Sequence, residues 1–225
     1  MKRRLVMARA GDGPTRVCVM VSGGGSNLRA LHAAAERGNL GGGEIVVVVS
    51  DKPGCGGWKF AEEKSIATVD FTAIEGRALA ETLAETHGVD LVLLAGFLKL
   101  IPAPFCERYE RAMLNIHPAL LPAFGGKGFY GERVHQAVIA SGARISGATV
   151  HFVTSEYDRG PILDQRAVRV LPTDTASSLA ARVLQAEHEL YAEAAGALCA
   201  GRVLWREDGV PYYHPVEVDK SNLHR

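Results

Sequence analysis

The chain has 225 residues, 47% of them hydrophobic, enough to bury the core of one large α/β domain or two small ones. Lys+Arg and Asp+Glu balance at 25 each and the pI is about 7.1, so no global basic field draws the chain to nucleic acid or an anionic membrane, and small-molecule partners are expected. No stretch approaches the ~20 apolar residues of a membrane span. The four cysteines, Cys18, Cys55, Cys106 and Cys199, lie far apart without a CxxC pair, which predicts reduced thiols in a cytoplasmic protein rather than a disulfide frame or a zinc site.

The basic start, MKRRLVMARAGDGPTR, has no long apolar segment, and Gly11 to Pro14 break any pattern. Residues 1–15 therefore read as a loose extension and residues 16–225 as one domain. Unbroken apolar runs at Val17–Val21, Ile45–Val49 and Leu91–Ala95 suit strands buried on both faces of a parallel sheet. Helical periodicity fills the gaps: Leu28, Leu31 and Ala35 share a face, as do Leu79, Leu83 and His87, with Gly38 and Gly88 where C-caps belong. This is a βαβαβ alternation, the Rossmann-like half of an open, doubly wound sheet.

After Leu114 a Pro- and Gly-rich loop precedes a helix around residues 131–141. ATVHFV (148–153) and ILDQRAVRV (162–170) read as two strands joined closely enough to be antiparallel. A long helix from about Thr175 to Cys199 carries Leu179, Val183, Ala186 and Leu190 inward, with Asp174 or Thr175 as its cap. RVLW and VPYYHPVEV are expected to add edge strands.

Three places could carry chemistry. Ser22-Gly23-Gly24-Gly25-Ser26-Asn27 joins a strand to a helix, and glycine N–H groups beside a helix N-terminus favour an anion, usually phosphate. The alternative is a tight turn in which Ser26 or Asn27 only caps the helix. His117 in LNIHP stands at a strand's carboxyl end, where open α/β sheets bind ligands, and Asn115 shares its side if the strand's period of two persists. An amide N–H beside an imidazole suits a developing oxyanion. Asp158, in the turn SEYDRGP, matters if that turn folds against His117, where a carboxylate would orient the ring, raise its pKa and accept a proton. His151 is the rival partner, or a packed core histidine. No metal-ligand spacing, GxSxG elbow or activated cysteine is present, so the pattern points to proton transfer without a covalent nucleophile.

SGGGSNL, LAGFLKLIP, LNIHPALLPAF, GATVHFVTSEYDRGPIL and ARVLQAEHELY, in this order over roughly residues 16–205, resemble the phosphoribosylglycinamide formyltransferase family. The resemblance implies a formyltransferase fold: a single-domain, mostly parallel sheet with antiparallel strands in its C-terminal part. It implies transfer of a formyl group from 10-formyltetrahydrofolate, the co-substrate, to the amine of glycinamide ribonucleotide in purine synthesis, with no metal. By the same resemblance Asn115, His117 and Asp158 are catalytic, with His117 as an imidazolium kept charged by Asp158. Gly25, Ser26 and Asn27 hold the substrate phosphate and Glu187 its ribose. The folate lies between Leu98, Lys99, Leu100 and Ile101 and the turn Thr154, Ser155, Glu156, Tyr157 and Asp158, with Asn115 beside it.

Lys99 stands where the family has arginine, Gly24 where many members are polar, and Ala119 where serine is frequent; Arg77 is a weak counterpart of a further arginine. Methionyl-tRNA formyltransferase would call for a basic domain after residue ~205, and formyltetrahydrofolate deformylase for a domain in front. A non-catalytic nucleotide-binding module is the alternative from another class. A monomer and a homodimer both fit the sequence.

Overall fold

A computed structural model describes residues 13–213. The valine-rich run Thr15–Val21 forms β1, flanked in the sheet by β2 (Gly43–Ser50) on one side and on the other by the strand Leu91–Leu94. Between them come α1 (Ser26–Glu36), α2 (Gly56–Glu63), β3 (Ala67–Asp70) and α3 (Gly76–Glu85), so Leu91–Leu94 is β4. The second half runs α4 (Ala103–Arg108), β5 (Met113–His117), α5 (Glu132–Ala140), β6 (Ile145–Phe152), β7 (Ile162–Arg169) and α6 (Ala176–Cys199).

The seven strands lie in the order β3-β2-β1-β4-β5-β6-β7. The first five run parallel, while β6 and β7 are antiparallel to their neighbours. The order reverses between β1 and β4, the switch point at which open sheets leave a crevice beyond the strands' carboxyl ends. One face of the sheet packs on α1 and α6 through Val17, Val19, Leu31, Leu179, Val183 and Leu190. The other packs on α3 and α4 through Cys18, Met20, Leu79, Leu83 and Phe105.

The expected strands, the helix near 131–141 and the inward face of α6 are all present, with Thr175 as the α6 cap accepting from the Ser178 N–H. Several local expectations change. β3 follows no long apolar run: it is a four-residue edge strand, exposed or half-buried throughout, and so lacks the pattern of a strand buried on both faces. Leu204–Trp205 (β8) and Pro211–Tyr212 (β9) pair only with each other, a separate hairpin rather than edges of the main sheet. The remainder of VPYYHPVEV lies outside the described residues, as does most of the expected N-terminal extension, whose last residue, Thr15, already belongs to β1.

Tyr191 of α6 is buried, and its hydroxyl lies 3.0 Å from the carbonyls of both Leu94 and Leu114, pinning the helix to two adjacent strands. Tyr191→Phe keeps the ring and removes the shared donor. Urea unfolding should show a loss of about 1–3 kcal/mol; unchanged stability would mean that the bond contributes nothing net.

Candidate functional site

Beyond the carboxyl ends of β1, β4 and β5 lies a cavity of about 890 Å³. Its walls include Ser26 and Asn27 of α1, Asn115 and His117 of β5, Tyr157 and Asp158 of the β6–β7 turn, the loop Gly126–Gly131, and Ala180, Leu184 and Glu187 of α6. A narrower recess of about 60 Å³ adjoins it, lined by Lys99, Leu100, Ile101, Thr154, Glu156 and Tyr157 and sharing Asn115 and Asp158 with the larger space. Leu98 lines the main cavity, whereas Ser155 lines neither.

In the first loop Gly25 has φ 76° and ψ 30°, a left-handed conformation that glycine adopts without strain. A Cβ there would sit 2.7 Å from the Gly57 Cα, so the loop abuts the start of α2 with no room for a side chain. The α1 cap is Gly25 itself, without a side-chain hydrogen bond, so neither Ser26 nor Asn27 caps the helix. Instead the Asn27 amide donates to Glu187 Oε2 at 2.8 Å, and both residues are buried. Burial pushes the Glu187 carboxyl up to about 7 against the lowering effect of Asn27. The Asn27 Oδ1 is buried without a hydrogen-bond partner among the described residues.

Strand periodicity in β5 puts Asn115 and His117 on one side. The β6–β7 turn folds back on them, and Asp158 adopts φ 54° as it enters the site. Its Oδ2 accepts from the Gly126 N–H at 2.8 Å and lies 3.6 Å from His117 Nδ1. His117 Nε2 donates to the Phe124 carbonyl at 2.9 Å, which leaves Nδ1 facing the carboxylate. His151 lies 3.6 Å from the other carboxylate oxygen, so Asp158 reaches both histidines and the two partners are not rivals.

The expectation that Asp158 keeps His117 charged is revised. The ring is 4% exposed, and burial, joined by the neighbouring His151, lowers its pKa by more than Asp158 and the Phe124 carbonyl raise it. For Asp158 burial is the largest influence and raises the pKa, but the His151 ring, His117 and the Gly126 N–H together lower it. The site therefore pairs an ionised carboxylate with an imidazole that resists protonation.

His135, at the start of α5, also lines the cavity, and burial lowers its pKa. No motif in the sequence singled it out. Arg77 is exposed on α3 and lines neither space. Among the described residues, no group of three or more His, Cys, Asp or Glu side chains could hold a metal ion, and the four cysteines are free.

Residues 15–195 match the family model described as formyl transferase. The chain belongs to the formyl transferase family. It is 52% identical over 203 residues to a chloroplastic phosphoribosylglycinamide formyltransferase of Vigna unguiculata, covering 87% of this chain and 64% of that protein. A chloroplastic counterpart from Arabidopsis thaliana is 50% identical, with coverages of 87% and 69%. The chain thus spans about two thirds of the length of these plant relatives. A solved glycinamide ribonucleotide transformylase from Symbiobacterium toebii superposes with a TM-score of 0.80 at 34% identity, covering 93% of this formyl transferase chain and 98% of its own. The chloroplastic names overturn the cytoplasmic expectation. Unpaired cysteines report a reduced state, and a reduced state does not name a compartment.

A folded pKa of about 7 against the ordinary 4.5 means that the native state holds the Glu187 proton more tightly than the unfolded chain. Its contribution is present in full below pH 4.5 and lost as pH rises to about 7. Denaturation midpoints across this range should show wild type losing stability relative to Glu187→Gln, then levelling above it; a constant difference would place the carboxyl in water.

Proposed function

We propose that this chain transfers a formyl group from 10-formyltetrahydrofolate to the amine of glycinamide ribonucleotide, a step of purine biosynthesis. One observation carries the reading: Asn115, His117 and Asp158 converge on the same cavity that receives Ser26, Asn27 and Glu187. Its volume of about 890 Å³ lies within the range of small-molecule sites. Family membership and likeness to proteins named for this reaction support the assignment.

In this reading the backbone of Gly25, Ser26 and Asn27 at the α1 N-terminus takes the ribonucleotide phosphate, and Glu187 the ribose hydroxyls. The folate lies along Leu98–Ile101 and Thr154–Asp158, where the narrow recess adjoins the reacting groups. The co-substrate supplies an electrophilic formyl carbon. As the amine adds to it, negative charge develops on the formyl oxygen and Asn115 Nδ2–H donates to that charge.

The amine must also lose a proton, while the departing folate nitrogen must gain one. His117 and Asp158 move that proton between them. The ring starts neutral, accepts on Nδ1, gains charge only while the carboxylate 3.6 Å away stabilises it, and then returns the proton to the leaving nitrogen. A permanently charged ring could not accept, so the lowering by burial suits this role.

Release of the folate product from a 10-formyl folate analogue, followed by absorbance with and without glycinamide ribonucleotide, tests the reading. Wild type should show amine-dependent release, with Asn115→Ala and His117→Ala each lowering turnover by roughly a hundredfold or more. Equal release without the amine would make the chain a hydrolase. No release from folded protein would leave a binding module.

A further inference from the structure

We propose that His151 is a positioning residue of this site: it holds the Asn115 amide with its nitrogen toward the ring, leaving one N–H for the formyl oxygen. The proposal rests on the formyl-transfer reading and deepens it.

His151 is 2% exposed and lies directly opposite Asn115 in the antiparallel register of β5 and β6. Its Nδ1 is 2.9 Å from the Phe152 carbonyl oxygen. A carbonyl can only accept, so Nδ1 carries the proton, and in that tautomer Nε2 presents a lone pair. The Asn115 Nδ2 lies 3.0 Å from this nitrogen and donates to it.

Turning the amide over would set Asn115 Oδ1 against the same lone pair, acceptor against acceptor, and the site is buried enough to make that costly. The amide is therefore locked by a backbone carbonyl acting through an imidazole. An amide nitrogen has two N–H groups, and only one is committed to His151. His151 Nε2 also lies 3.6 Å from Asp158 Oδ1, beyond an ordinary hydrogen bond, so the Phe152 carbonyl sets the tautomer and Nε2 is left for the shorter Asn115 contact. One ring thus orients the oxyanion donor and flanks the carboxylate paired with His117. His151 also lines the narrow recess assigned above to the folate, and its hydrogen bond to Asn115 is the route by which it acts on the reacting centre.

The test has two arms. Ring nitrogen NMR of wild type, which needs no substrate, should show His151 protonated on Nδ1 and bare on Nε2 near neutral pH; the opposite tautomer would overturn the proposal. Kinetically, His151→Leu removes the acceptor and should lower kcat by about tenfold to a hundredfold, the scale of a misplaced reacting group. KM for both substrates should change by less than about twofold, and His151→Gln, whose carbonyl can accept from Asn115, should recover most of the loss. A folded His151→Leu with wild-type kcat, or a loss confined to KM, would overturn the proposal. Should the leucine variant fail to fold, the glutamine variant and the ring spectrum decide. A wild type without amine-dependent transfer would overturn the functional reading, while the ring spectrum would still decide the orientation of Asn115.

Discussion

The hydroxyl of Tyr191, buried between the carbonyls of Leu94 and Leu114, sets the geometry from which the site is built. One proton is shared between two strands, so α6 has little freedom to slide over β4 and β5. Glu187 lies one turn earlier on the same helix, on the same side by helical periodicity, and meets Asn27 at the start of α1. Asn115 directly follows Leu114 on β5. A single anchor therefore relates the wall formed by α1 and α6 to the strand bearing Asn115 and His117.

The change of direction between β5 and β6 supplies the rest. In the parallel half each strand is joined to the next through a helix. β6 runs back against β5, which puts His151 opposite Asn115 and Thr149 opposite His117. The turn that follows β6 then overhangs the site and delivers Asp158, while the Gly126 N–H binds that carboxylate and ties down the loop after β5. Burial makes these contacts matter. It lowers the His117 pKa and raises that of Glu187, so both groups favour their uncharged forms, and Asp158 stays ionised only because several donors offset its desolvation.

Much of this was legible in the chain. Runs such as VCVMV and IVVVV have no polar alternation and therefore mark strands covered on both faces, and the periods of Leu28–Leu31 and Leu179–Val183 mark the helices over them. The ATVD edge strand escaped because an edge needs no apolar run, and the final hairpin was misassigned because short apolar strands do not say what they pair with. His151 was visible as a residue but not as a partner of Asn115, because strand register is a property of two segments. His135 carried no signal at all, being one histidine on an amphipathic helix. Cysteine spacing indicated free thiols but not the compartment.

Local order and chemical inventory were thus determined by the sequence itself: which segments extend, which coil, where glycine admits a left-handed turn, and which side chains could donate, accept or hold a proton. These depend on neighbours a few residues away. Tertiary structure alone decided that Asp158 stands between two histidines, that Asn27 serves Glu187 instead of capping α1, and that His117 is lowered and not raised in pKa. Each is a balance between desolvation and contacts to residues distant in the chain, and neither quantity exists until the chain has folded.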